Sequence, residues 1–309
     1  MLTITADVFS GRPNPVWFVD DENEARMALD ALTKERNLIL PDVPPEAGLG
    51  FRGVQIELLD DAIGGRFDLP SSFYVPLGHL SRQARSDELI ERLVTLLGRG
   101  RLVPPSDSAT AIDEALQRYL LDQLRQSVTG SQLDAEAQLR GPADGGGAPA
   151  PAAITCWIEL WAFNPAFWNN DSYTRQHNNC YNYASNWRTN TFAQPGRGSG
   201  HMYTAVTCPA VTLAALSDGM HHRFDCFPDG EKPRFLVAMV VSPGPGFVDY
   251  HWYRKHQGGF WGHKPGPSYA RNVDESNNVI ADPQFCNRGP YTQFCGYFYG
   301  CNSQRHRIN

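Results

Sequence analysis

The chain has 309 residues, 41% hydrophobic and 19% charged, which is enough length for two domains and a folded rather than disordered composition. Its net charge of -6 argues against a general nucleic-acid binder, and no run approaches the roughly 18 apolar residues that a membrane span needs. The start, Met1 to Phe9, lacks a positively charged n-region, so the expectation is cytoplasmic synthesis without Sec export, with export by another route left open.

In chain order, Leu2 to Phe9 alternates apolar and polar residues as a half-buried strand does. Ser10-Gly-Arg-Pro-Asn-Pro15 is a turn, and Val16 to Val19 returns as the second strand of a hairpin. Arg12 and Asn14 could bind an anion or a partner; local hydrogen bonding within the turn is the plainer reading. Asp20 or Asp21 can cap a helix whose Ala25, Met27, Leu29 and Leu32 recur at helical spacing. Val54 to Leu59 and Phe73 to Pro76 read as further strands, and Leu89 to Leu97 and Ile112 to Leu124 as amphipathic helices. Residues 1–133 thus form an acidic α+β domain of unassigned role, with no cysteine and a single histidine.

Residues 134–153 end in a Gly/Pro/Ala-rich stretch with the composition of a linker. Chemistry changes across it: residues 1–150 carry a net charge of -9, residues 151–309 one of +3, and all seven cysteines lie in the second part. That contrast suggests contact between an acidic N-terminal and a basic C-terminal half.

Within 154–309, His177-Asn-Asn-Cys180-Tyr-Asn-Tyr-Ala carries the chemistry. Asn178 or Asn179 is a good N-cap, which puts Cys180 in the first turn of a helix, where the macrodipole favours thiolate over thiol. A buried, purely structural thiol is the alternative. Phe235 to Val241 is a buried strand, Val248 to Arg254 a second strand carrying His251, and Gln257-Gly-Gly259 a hairpin turn into a third strand with His263. A histidine beside a cysteine can take the thiol proton and return it to a leaving amine. His263 is the expected orienting group, with Asp249, Asn272 and Asp274 as alternatives. Oxyanion donors could come from the Cys180 backbone N–H and the side chain of Gln176 or Asn179. Gln194 to Gly200 reads as a surface loop or a lid.

The order Cys180, His251, His263 on a helix and a strand hairpin resembles the papain-like NlpC/P60 and CHAP cysteine hydrolases, over the span His177 to His263. The Asp-Cys-Ser-Gly of NlpC/P60 is replaced here by Asn-Cys-Tyr-Asn. The resemblance implies an α+β domain with a central antiparallel sheet. It also implies a peptidase or amidase needing no cofactor, with a peptide or amide substrate that is often a cell-wall peptide.

Two rival classes stand beside it. One is a noncatalytic glycan- or peptide-binding module in which Trp252, Trp261 and Tyr269 stack on a ligand; Trp252 is equally a candidate substrate contact of the hydrolase. The other is a metal-dependent enzyme using His221, His222 and Cys226. Pairing of Cys208 with Cys226, and of two among Cys286, Cys295 and Cys301, would leave Cys180 free.

Overall fold

A computed structural model describes residues 2–59, 66–81, 85–97, 113–129, 157–222 and 231–309. The predicted linker 134–153 and Cys226 lie outside these residues. The architecture is mixed α+β with two antiparallel sheets.

The first sheet has the order β2-β1-β3-β4, from β1 (Leu2–Asp7), β2 (Val16–Val19), β3 (Gly53–Leu58) and β4 (Ser72–Pro76). β1 and β2 are the predicted hairpin, paired from Leu2↔Val19 to Thr5↔Val16. Asp21 caps α1 (Glu22–Lys34) by accepting from the backbone N–H of Asn23 and Glu24, and Ala25, Ala28, Leu29 and Leu32 form its buried stripe. Met27, read as part of that stripe, is half exposed, since it lies off the face made by its neighbours. Three more helices follow, α2 (Gly78–Ser81), α3 (Arg85–Leu97) and α4 (Glu114–Thr129).

The second sheet has the order β5-β9-β6-β7-β8, from β5 (His221–His222), β6 (Phe235–Pro243), β7 (Val248–Lys255), β8 (Trp261–His263) and β9 (Gln293–Gly300). Short helices α5 (Ala166–Asn169), α6 (Ser172–Gln176) and α7 (Cys180–Ser185) precede it, then α8 (Cys208–Ser217); α9 (Asn302–Arg305) closes the chain.

The unbroken apolar run of β6 has a direct cause: both faces of this sheet are covered. Val237, Met239, Val241, Tyr250 and Trp252 pack on one face with Cys180, Tyr181 and Val211 of α7 and α8. Leu236, Ala238, Val240 and Tyr253 lie on the other, in one continuous core with Leu2, Val8, Phe9 and Phe51 of the N-terminal half. Each buried aliphatic or aromatic side chain contributes about 1.5–3 kcal/mol, so this shared core couples the two halves strongly.

The Cys208–Cys295 disulfide ties the start of α8 to β9. It stands in place of the expected Cys208–Cys226 pair, because the first turn of α8 lies against β9. Cys180, Cys286 and Cys301 are free thiols. Among the described residues, no helix is long and apolar enough to cross a membrane, and no group of three His, Cys, Asp or Glu is arranged to hold a metal ion.

Candidate active site

Asn179 builds the start of α7 as a capping box. Its Oδ1 accepts from the N–H of Tyr181 and Asn182 at 3.1 and 3.2 Å, and Asn182 Oδ1 accepts from the Asn179 N–H at 3.1 Å. The other end of the Asn179 amide does separate work. Nδ2 donates to Gly11 O and to Ala193 O, both at 2.8 Å. Capping and the contacts to two main-chain carbonyls are thus carried by opposite ends of one amide.

The cap sets Cys180 against β7. Its Sγ lies 4.0 Å from Tyr250 O and receives the backbone N–H of Trp252, so the thiol sits at the backbone of the two residues that flank His251. Cys180 is fully buried, and burial first, then the nearby Asp249 charge, pushes the thiol well above its ordinary value. The Trp252 N–H and Lys264 oppose this without reversing it. At rest the group is a neutral thiol, not the thiolate that the helix start alone would favour.

His251 and His263 meet as the sequence suggested: His251 Nε2 lies 2.9 Å from His263 Nδ1, and His263 Nε2 lies 3.0 Å from Val273 O. The partners set the tautomers. A carbonyl can only accept, so His263 Nε2 carries the proton and its Nδ1 is the acceptor; His251 Nε2 must then be the donor. That leaves His251 Nδ1 unprotonated, and it is buried with no hydrogen-bond partner. Both rings are held neutral. Burial lowers His251 well below 6.5, with His263 and Arg52 adding to the effect, and burial with Arg271 lowers His263 to about 3.

Of the alternative orienting groups, the Asp274 and Asp249 carboxylates are engaged elsewhere. Asp274 caps a turn through the N–H of Ser276, Asn278 and Asn287, and the carbonyl of Asn272 accepts from Ile280. Asp249 accepts from the N–H of Ser10, Gly11 and Arg12 and from the Tyr291 hydroxyl at 2.6 Å. Burial raises its pKa despite those bonds. Gln176 is exposed at the end of α6 and lines a separate cleft of about 330 Å³ with Asn14, Asp42 and Phe192, so it is not gathered with Asn179. Trp252 is fully buried against Tyr181 and Phe298, and Trp261 is buried at the other face of the sheet, so neither offers a stacking face. The Tyr269 ring is covered by the Arg175 guanidinium, 4.5 Å from its centroid. Aromatics also line a cleft of about 490 Å³, where Trp161, Phe167, Trp168 and Trp187 stand beside Arg188 and Arg305.

Three site residues were not singled out from sequence. Gln194, read as part of a surface loop, is fully buried; its Nε2 donates to Gly11 O at 2.7 Å and its Oε1 accepts from Tyr203 at 2.7 Å. The Tyr250 hydroxyl lies 3.0 Å from the same Gly11 oxygen and 3.1 Å from Gln194 Oε1. Lys264 is fully buried, and its ammonium donates to the carbonyls of Arg175, Asn178 and Gly266 at 2.5–2.6 Å, which fixes the approach to Asn179. The signal for Lys264 was its place directly after His263 at a strand end; for Gln194 there was none beyond the loop itself.

What fold and site define is an α+β protein with a buried Cys packed on β7 beside Tyr250 and Trp252, and a His–His pair that projects from the other face of the same strand beside Tyr253 and Tyr291. By sequence the chain is 47% identical, over 135 residues, to insoluble matrix shell protein 1 of Ruditapes philippinarum; the match spans 44% of this chain and 86% of that protein. The chain belongs to the family of that shell matrix protein. No protein-family model matches the sequence, and no solved structure matches.

Proposed function

We propose that the C-terminal half is a cysteine-dependent acyl-transfer domain of papain-like arrangement, a peptidase or amidase acting on a peptide or amide bond. The observation that carries this is the His251 ring: its Nε2 is committed to His263, its Nδ1 is left as an unpartnered base, and the Cys180 thiol lies at the flanking backbone. In the reaction, the His251 ring, which at rest projects with Tyr253 from the face of β7 opposite Cys180, swings to the Cys180 edge of the strand before its Nδ1 takes the thiol proton and sulfur attacks the amide carbonyl. Collapse of the adduct breaks the C–N bond, and the same proton goes to the leaving amine. Water, deprotonated by His251, then cleaves the thioester and returns the proton to sulfur. His263 holds the ring in the tautomer that makes Nδ1 the base, as the third group does in Ser- and Cys-hydrolase triads. Intact-mass spectrometry after exposure to an activated peptide ester tests this. A single adduct on Cys180, absent from Cys180→Ala and slowed at least tenfold in His251→Ala, supports the reading; equal acylation of wild type and His251→Ala counts against it.

A second reading has its own support. Full burial of Cys180 and the similarity to an insoluble matrix shell protein favour a noncatalytic matrix component that binds ligand through the Trp161–Trp187 cleft. Under that reading no adduct forms on Cys180 under any condition that preserves the fold. The Cys208–Cys295 disulfide favours an oxidising, extracytoplasmic setting under either reading.

A further inference from the structure

The loop between β1 and β2 enters the site. Gly11 O accepts from Asn179 Nδ2 at 2.8 Å, Gln194 Nε2 at 2.7 Å and the Tyr250 hydroxyl at 3.0 Å, all buried. On the other side of the same peptide stretch, Asp249 gathers the N–H groups of Ser10, Gly11 and Arg12 at 2.6–3.3 Å. Arg12 Nη1 donates to Val248 O at 2.6 Å. On the Ser10–Arg12 segment, Asn179, Gln194, Tyr250 and Asp249 engage main-chain N–H and C=O groups, so the niche reads a peptide backbone.

It also reads the absence of a side chain. A Cβ at Gly11 would lie 2.4 Å from Tyr250 Cε2 and 2.5 Å from Tyr250 O, closer than any real contact. The loop arrives preformed. Asn14 Oδ1 accepts from Val8 and Phe9 N–H, its Nδ2 donates to Asp7, and buried Arg52 ties Asp7 to Phe9 O. Three donors on one carbonyl oxygen exceed what a turn needs, and they match what an acyl-transfer site offers a carbonyl as it gains negative charge.

We propose that Asn179, Gln194, Tyr250 and Asp249 form a receptor for a bent peptide segment with glycine at its centre. Its resident ligand is the chain's own Ser10–Arg12 segment, which masks Cys180. The assignment rests on the acyl-transfer reading for its consequence, a latent enzyme whose substrate must displace the loop, but not for the receptor itself. The receptor implies a substrate class: a peptide with glycine at the position that Gly11 fills, flanked by residues whose side chains point away from Tyr250.

The test is iodoacetamide labelling of Cys180 in the full chain, followed by peptide mapping. Gly11→Ala should accelerate labelling at least tenfold over wild type. A peptide of the sequence Phe-Ser-Gly-Arg-Pro-Asn-Pro should slow it again, and the same peptide with Ala for Gly should not. Gln194→Leu, which leaves the loop sequence intact, should accelerate labelling in the same direction and keeps the test open if Gly11→Ala does not fold. Unchanged labelling in a folded variant, or equal effects of the Gly and Ala peptides, overturns the receptor. Accelerated labelling without acylation by any peptide ester would leave the receptor standing and sink the enzyme reading, so the two failures are distinguishable.

Discussion

Replacing Asn179 separates its two roles. In Asn179→Ala, α7 loses the acceptor for Tyr181 and Asn182 N–H, worth about 1 kcal/mol for an N-cap. The same change removes one of two side-chain donors to Ala193 O among the described residues, Gln194 being the other, and one of three donors to Gly11 O, all buried, which costs about 1–3 kcal/mol. Loss of about 2–4 kcal/mol is expected. Asn179→Asp is the discriminating variant. Aspartate caps a helix as well as asparagine, so a pure capping role would leave stability near wild type. The structure instead turns the Nδ2 end toward two carbonyl oxygens, and a carboxylate there puts acceptor against acceptor and a buried charge beside Asp249. Asn179→Asp should therefore lose at least as much as Asn179→Ala in urea unfolding at pH 7. An Asp variant within about 0.5 kcal/mol of wild type would refute the double role.

Other outcomes follow from burial and geometry. His251, His256 (lowered to about 4, mainly by burial) and His263 (about 3) are neutral when folded but take up a proton near pH 6.5 when unfolded. Their contribution is fully present above pH 6.5 and is lost as pH falls from there towards 4, at up to about 1.4 kcal/mol per pH unit for each ring. Buried Asp249, whose pKa is raised, pulls the other way at the acidic end. Urea midpoints should fall between pH 7 and 5, and His263→Gln should flatten that fall; a midpoint independent of pH contradicts the neutral pair. Gly262→Ala should break the 2.6 Å Tyr183–His256 hydrogen bond, because its Cβ would lie 2.3 Å from the Tyr183 hydroxyl; a melting point lowered by about 1–3 kcal/mol equivalents checks it, and an unchanged one denies the close packing of α7 on β8. Cys208→Ser opens a bridge between residues 87 apart and should cost about 2–4 kcal/mol without reductant and nothing once both proteins are reduced.

How much of this could be read from sequence depended on whether a residue's partners were local. β2 and the β1–β2 turn were legible because alternation and two prolines act within a few residues. Asn179 and Cys180 were legible because a cap is a local motif, and His251–His263 because a short Gly-Gly hairpin brings them together. α8 escaped notice because Cys208 to Ser217 is apolar around much of its circumference, so it lacks the one-sided stripe that marks a surface helix. β9 escaped because Gly296 and Gly300 interrupt its apolar alternation. Trp252 and Trp261 were taken for ligand platforms since nothing local says that both faces of their sheet are covered. The largest gap was Gly11. Its role exists only where a loop from one end of the chain meets Asp249, Gln194 and Tyr250 from the other, 183 to 239 positions away.

The account stands most directly on the base at His251. Selective observation of the histidine ring nitrogens by long-range proton–nitrogen correlation should show His251 protonated on Nε2 and bare on Nδ1 at pH 7. On covalent capping of Cys180 in Gly11→Ala protein by a peptide ester, only the wild-type His251 background should acylate. Protonation of His251 on Nδ1, or acylation of Cys180 that proceeds equally without His251, would contradict it.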